Sequence, residues 1–318
     1  MQASDYQQLQ HDISLPRLSS YQYFFKPNKP AELYGYYCWN EAISAAFFRL
    51  IGIVEVTLRN KLHRALSTHC YNPQSKGNKL SNDWFNFLDL NTHSEKKILS
   101  VTHKRRGNNW HPKLPAVSHD DVISRMTYGF WPKVFDIQKD RQGNLLPWGT
   151  IIPTIIPHHR QKSAGYWKKI KHQDGLYARL EIVGSLRNRI AHFEPIWKQG
   201  ELFEETRIRQ NKTPKLLAAA PTNDIEARER LILLHQRTQE LLGWLSKTRL
   251  KSYQQSYTYH QLSWLLSKDG METYIRQHSQ NSLTPSTFKR NFSSILKQQQ
   301  TVTIRKNGRI SGVFYPTK

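Results

Sequence analysis

Cysteine is nearly absent: Cys38 and Cys70 are the only two in 318 residues, too few for a disulfide framework and without metal-ligand spacing. We read both as reduced thiols of a cytoplasmic protein. No run approaches 18 consecutive apolar residues, which excludes a transmembrane helix and sets a membrane aside as partner. The opening segment, MQASDYQQLQHD, lacks the basic start and apolar stretch of a signal peptide. Acidic residues are also scarce. Twenty-four Asp+Glu face 47 Lys+Arg, a formal net charge of +23 with a pI near 10.0. That imbalance disfavours a basic substrate or a basic partner and favours a polyanion, nucleic acid ahead of a membrane surface. No G-x-x-x-x-G-K-[ST] loop, dinucleotide fingerprint or H-E-x-x-H pattern occurs. His103, His111, His119, His158 and His159 read as loop residues without ligand spacing, so neither a metal nor a cofactor is expected.

What is present is a globular chain, 38% hydrophobic and 12% aromatic with nine Trp. The proline-free stretch 31–65 predicts one long buried helix, with Leu50, Val54, Leu58, Leu62 and Leu66 as an i, i+4 ridge and Gly35 and Gly52 as weak points. Helical signals follow at 94–105 and from Ser118, whose S-x-x-D pattern with Asp121 caps a helix running through VISRMTYGFWPKVF until Pro132 ends or kinks it. Residues 141–174, with Pro147, Pro153 and Pro157, read as loop. Asp174 reads as the N-cap of a helix to about His192, closed by Pro195, and Asn223 as the cap of another reaching Lys247. The aromatic residues at 34–39 and 128–131 read as core. From residue 246 the chain carries 12 Lys+Arg against Asp269 and Glu272, and Asn307-Gly308 between β-branched residues signals a hairpin. The expected fold is mainly α: an N-terminal helical segment 1–30, a helical bundle 31–245, and a basic α+β extension 246–318 ending in a hairpin over 301–314.

On the helix after Asp174, Leu176, Leu180, Val183, Leu186 and Ile190 form the core stripe, and Glu181, Ser185, Asn188 and His192 fall opposite. Arg187 interrupts the stripe. A cation there needs a partner or an interface, and such breaks in local consistency concentrate at functional sites. The string Arg187-Asn188-x3-His192 resembles the R-x(4–6)-H signature of HEPN ribonucleases. The flanking RNRIAHFEPIW, VEVTLRNKL at 54–62 and SRMTYGFWPKV at 124–134 resemble, in order, segments of the Abi-like (abortive infection) branch of that superfamily. The likeness covers roughly residues 17–245 and leaves the tail unmatched.

The resemblance implies a HEPN-like bundle and a metal-independent endoribonuclease of toxin or phage-defence type. Its products would carry a 2′,3′-cyclic phosphate and a 5′-hydroxyl. In that reading His192 moves the proton, Arg187 holds the phosphate and Asn188 orients one of them. Arg187 and His192 are about 140° apart on an ideal helix (five residues at about 100° each). They therefore converge only if two copies meet in a homodimer, as the family implies. An antitoxin or phage-derived trigger would be encoded elsewhere.

The similar string Arg59-Asn60-x2-His63 is one residue short and reads as structural helix, with Glu55 and Arg59 as an i, i+4 pair. The basic segment 158–172, with Lys168, Lys169 and Lys171 beside Tyr166 and Trp167, has the composition of an RNA contact, and so has the hairpin with Arg305, Lys306 and Arg309. Two further readings stand beside the ribonuclease. One is a non-catalytic basic module that binds RNA or senses phage; the other is a dimer scaffold whose tail is the effector.

Overall fold

A computed structural model describes residues 3–208, 213–276, 282–298 and 301–315. The chain opens with α1 (Ala3–Ile13), α2 (Leu15–Phe25) and α3 (Pro30–Cys70). A ribbon of β1 (Gly77–Asn78) and β2 (Ser81–Asn82) follows, then α4 (Thr92–Thr102) and a hairpin of β3 (His103–Arg106) and β4 (Asn109–Pro112). Next come α5 (His119–Ser124), α6 (Phe130–Val134), α7 (Trp148–Ile155), α8 (Ala164–Trp167) and α9 (Ile170–Ala191). Beyond the pair β5 (Leu202–Phe203) and β6 (Leu216–Ala218) run α10 (Asp224–Leu245), α11 (Lys247–Gln254), α12 (Tyr257–Leu265) and α13 (Lys268–Ile275). The last unit is β7 (Ser282–Leu283), α14 (Pro285–Lys297), β8 (Val302–Lys306) and β9 (Arg309–Phe314). The fold is mainly α, with a small C-terminal α+β unit that ends in a hairpin.

The 41-residue α3 is the axis against which α2, α7, α9, α10, α12 and α13 pack. Its Leu50, Val54, Leu58, Leu62 and Leu66 ridge is fully buried, as its spacing predicts. At the N-terminal end α3 is fastened by side chains that reach distant backbone. Trp39 Nε1 donates to Leu265 O at 2.8 Å, and Asn40 Oδ1 accepts from Ile196 N at 2.9 Å. The helix runs unbroken through Gly35. A Cβ there would lie 2.5 Å from Tyr274 O, so glycine is what lets α13 approach this closely. Gly52 faces open space. The N-terminal helices close over an aromatic cluster in which Tyr21, Phe24 and Phe25 ring Trp197. Cys38 and Cys70 are free thiols pushed up by burial, Cys70 to about 12, which removes thiolate reactivity near neutrality.

Four expectations need correction. The helix at 92–102 stops three residues early, and 103–106 becomes a strand paired with 109–112, so His103 and His111 lie in strands. Ser118 caps a helix as expected, its Oγ accepting from Asp121 N at 3.1 Å, but that helix ends at Ser124. The chain turns through Gly129 before Pro132 is reached and restarts as α6, so Pro132 sits inside a second short helix. Residues 141–174 are not all loop: the apolar WGTIIPTI folds as α7, with Pro153 inside it, and α8 follows. Asp174 is not a cap either. The helix begins at Ile170, and Asp174 is buried one turn into it.

Asn223 and Thr284 cap α10 and α14 through side chains that accept from Glu226 N and Thr287 N. The Asn307-Gly308 turn has φ of 51° and 76°, the pair of positive angles that a tight two-residue hairpin requires. No helix among the described residues is long and apolar enough to cross a membrane.

Candidate active site at the end of α9

Helix α9 carries its core stripe against α3 and ends where His192 takes the C-cap position, its N–H donating to Asn188 O at 3.0 Å. Phe193 follows at φ 55°, a left-handed step that ends the helix, and its carbonyl accepts from Arg17 Nη1 at 2.8 Å. The loop beyond is pinned by Arg189, whose guanidinium donates to Pro195 O and Lys198 O. The motif therefore sits on a helix end held from both sides.

The motif residues face different ways. Asn188 and His192 are exposed, on the same face as Glu181 and Ser185. Arg187 is half-buried on the side towards α3, and its Nε reaches no hydrogen-bond partner among the described residues. The charge it meets is Glu55 of α3. Burial pushes the Glu55 carboxyl up, and Arg187, then Arg59, then the Tyr128 N–H pull it back down. Glu55 thus feels both arginines, Arg187 more than Arg59, and the close Glu55–Arg59 pair that the sequence predicts does not form among the described residues. Arg59 itself donates to Ser124 O at 3.3 Å, on the segment leading into α6. The three segments that carry the family resemblance meet at this junction: 54–62, 124–134 and the end of α9. Tyr128 completes it, donating its hydroxyl to Leu180 O at 3.0 Å.

Beside the motif runs an uncovered strip. Ala45, Phe48, Gly52 and Val56 follow one another on the outer face of α3, with Phe48 49% and Val56 41% exposed. Phe48 also lines a groove of about 320 Å³ that continues onto Ile190, Ala191 and Phe193, and Phe193 is 75% exposed.

The basic candidates lie elsewhere. Lys168, Lys169 and Lys171 are exposed at the start of α9. At about 1.5 Å per residue, that end is about 30 Å from His192. Their aromatic neighbours are not free to stack on bases. Trp167 is buried, donating from Nε1 to Gln161 O at 3.0 Å, and Tyr166 is stacked on His172 at 3.6 Å. Arg305, Lys306 and Arg309 are exposed around the C-terminal hairpin turn.

One cluster was not visible in the sequence. His63 Nε2, His119 Nε2 and Asp120 Oδ1 lie 2.9, 3.1 and 2.6 Å from Ser81 Oγ. It has the composition of a nucleophile site, but Trp84 Nε1 donates to His63 Nδ1 at 2.9 Å. That bond leaves the His63 proton on Nε2, where it donates to Ser81 and can neither accept a proton nor ligate a metal. Burial lowers the His63 pKa, which keeps the ring neutral. The cluster is a tie between α3, β2 and α5.

The fold is mainly α, and Arg187, Asn188 and His192 lie at the end of one of its central helices. The chain belongs to the Abi-like protein family, which it matches over residues 6–198. That span contains most of α1, all of α2 to α9 and the motif, and leaves the rest of the chain outside. No curated protein and no solved structure matches it.

Proposed function

We propose that this Abi-like protein acts in abortive infection as a metal-independent endoribonuclease of the HEPN type, with Arg187, Asn188 and His192 as its working residues. The observation that carries the reading is Arg187: a half-buried cation, with an unbonded Nε, within an otherwise apolar stripe and one turn from an exposed histidine. In the reaction the ribose 2′-oxygen attacks phosphorus as its proton passes to a base. The P–O5′ bond breaks, and a proton is delivered to the leaving 5′-oxygen. Histidine suits both transfers near neutral pH, and arginine suits the phosphate whose charge grows between them.

One copy cannot place both groups on one phosphate, because they project about 140° apart. A second copy supplies the missing partner. The strip Ala45–Phe48–Gly52–Val56 with Phe193 is the surface we assign to it, since it is apolar, uncovered and adjacent to the motif. The exposed Lys168, Lys169 and Lys171 then serve to hold the flanking RNA.

The test is cleavage of a defined RNA by purified protein in EDTA, with the chemistry of both ends determined. The expected result is a 2′,3′-cyclic phosphate and a 5′-hydroxyl, lost on Arg187→Ala or His192→Ala. Phe48→Glu, outside the motif, should abolish dimer and cleavage together. If His192→Ala cleaves like the wild type, the catalytic assignment is wrong. If no RNA is cut but RNA binding depends on Lys168, Lys169 and Lys171, the chain is a binding module.

A further inference from the structure

The C-terminal unit lies outside the family match and outside the ribonuclease reading, and its surface chemistry is unlike that of the bundle. After Glu272 the sequence contains no Asp or Glu, while Lys and Arg recur eight times to Lys318. Apart from Arg276, which closes α13 and pairs with Glu272 at 2.8 Å, the described cations lie on two neighbouring elements. Helix α14 is 13 residues, about 20 Å long. It packs on the sheet through Phe288 and Phe292, whose rings meet Phe314 at 5.3 and 5.5 Å, and buries Ile295. On its opposite face Ser286, Lys289, Arg290, Ser293 and Lys297 are all exposed. A helix so lightly buried, with three cations and two hydroxyls on one stripe and no carboxylate, lacks the balanced charge of a merely solvated face.

The second element is the β8–β9 hairpin, with Arg305, Lys306 and Arg309 exposed around the Asn307-Gly308 turn. Topology decides how the two lie. Strand β7 pairs parallel to β8, Ser282 with Thr303 and Leu283 with Ile304, so the connection through α14 must run back along the sheet. The first turns of α14 therefore lie at the same end of the sheet as the basic turn. Lys289 and Arg290 on the helix and Lys306 and Arg309 on the ribbon flank that end together.

We propose that α14 and the β8–β9 turn form a binding surface for duplex DNA, with the helix face in the major groove and the basic turn on the adjacent backbone. The B-form major groove, about 12 Å wide, admits an α-helix. The deep, narrow groove of A-form RNA does not. Single-strand recognition would instead need free aromatic faces on the sheet. Here those rings are occupied: Phe288, Phe292 and Phe314 by one another, and Tyr315 by Trp264, stacked at 4.8 Å. Lysine, arginine and serine are also the side chains that contact phosphates and base edges.

The experiment is binding of the full chain to a DNA duplex of about two helical turns, to the matching RNA duplex and to single-stranded RNA, each across a salt series. The variants are Lys289→Ala/Arg290→Ala/Lys297→Ala and Lys306→Ala/Arg309→Ala. All five side chains are exposed, so melting temperatures matching the wild type confirm that the variants are folded. The helix variant should weaken duplex DNA binding at least about tenfold and reduce the slope of log K against log salt by about three; the turn variant should reduce it by about two. His192→Ala should bind duplex DNA like the wild type whether or not the chain cuts RNA, which separates this inference from the ribonuclease reading. Wild-type failure to bind duplex DNA, or unchanged affinity in both tail variants, overturns it. So does loss of single-stranded RNA binding with DNA binding intact, which would make the surface an RNA site.

Discussion

His235 makes the stability of the bundle depend on pH in a way that can be worked out in advance. It sits in α10, 5% exposed, with Phe47 of α3 and Tyr253 of α11 edge-on to its ring and the Tyr253 hydroxyl 2.9 Å from Nε2. Burial lowers its pKa from 6.5 to about 4. The folded chain therefore holds this ring neutral where the unfolded chain protonates it. The associated stability is fully present above pH 6.5 and is lost as pH falls towards 4. A shift of about 2.5 units at 1.36 kcal/mol per unit gives roughly 3 kcal/mol in all, of which about 2 kcal/mol is lost between pH 7 and pH 5. Urea unfolding of the wild type and of His235→Phe at both pH values isolates this contribution, because other titrating groups cancel in the difference. Phenylalanine strands the Tyr253 hydroxyl, a cost that is the same at both pH values. The wild type should lose about 2 kcal/mol more than the variant on acidification. Equal losses would refute the assignment of a neutral, buried His235.

Further perturbations follow from the packing of α3. Gly35→Ala drives a Cβ to 2.5 Å from Tyr274 O and 2.7 Å from Ile275 Cα, both backbone atoms, and should cost about 1–3 kcal/mol in chemical denaturation. Gly52→Ala, with nothing within 4 Å, should stabilise by about 0.5–1 kcal/mol through helix propensity alone; the same sign at both positions would contradict the close approach of α13. Glu55→Gln keeps an acceptor for the Tyr128 N–H but removes the countercharge of Arg187. Because burial outweighs both arginines and raises the Glu55 pKa, its charge is a net cost to the fold, so Glu55→Gln should leave stability unchanged or raise it slightly, and should raise it further in an Arg187→Met background, as urea unfolding would show. Strict additivity of the two substitutions would show that Glu55 and Arg187 do not interact.

How far the sequence carried depends on the kind of signal. Helix α3 was legible because its ridge repeats over five turns, and the hairpin because Asn307-Gly308 is the residue pair its positive angles require. Helix α7 was not, since Pro147, Pro153 and Pro157 read locally as breakers; burial of Trp148, Ile151, Ile152 and Ile155 overrides them. Asp174 was misplaced because aspartate is a common cap, and nothing local indicated that it would be buried. At the candidate site the spacing of Arg187 and His192 and the anomaly of a cation in an apolar stripe were readable. The partner of Arg187 was not, because Glu55 lies 132 residues earlier in the chain (187 − 55) and meets it only through the packing of α9 on α3. The same holds for Trp167, whose burial removes it from the RNA surface that its composition predicts.

The central claim is that the exposed His192 at the end of α9 makes this Abi-like protein an RNA-cutting enzyme. It is tested most directly by inducing the wild type and His192→Ala in bacteria, with and without phage, and following growth and total RNA together. The wild type should arrest growth and leave discrete RNA fragments in at least one of the two conditions, and His192→Ala should do neither. Equal arrest by both proteins over intact RNA, or no RNA fragmentation under either condition, would contradict the claim.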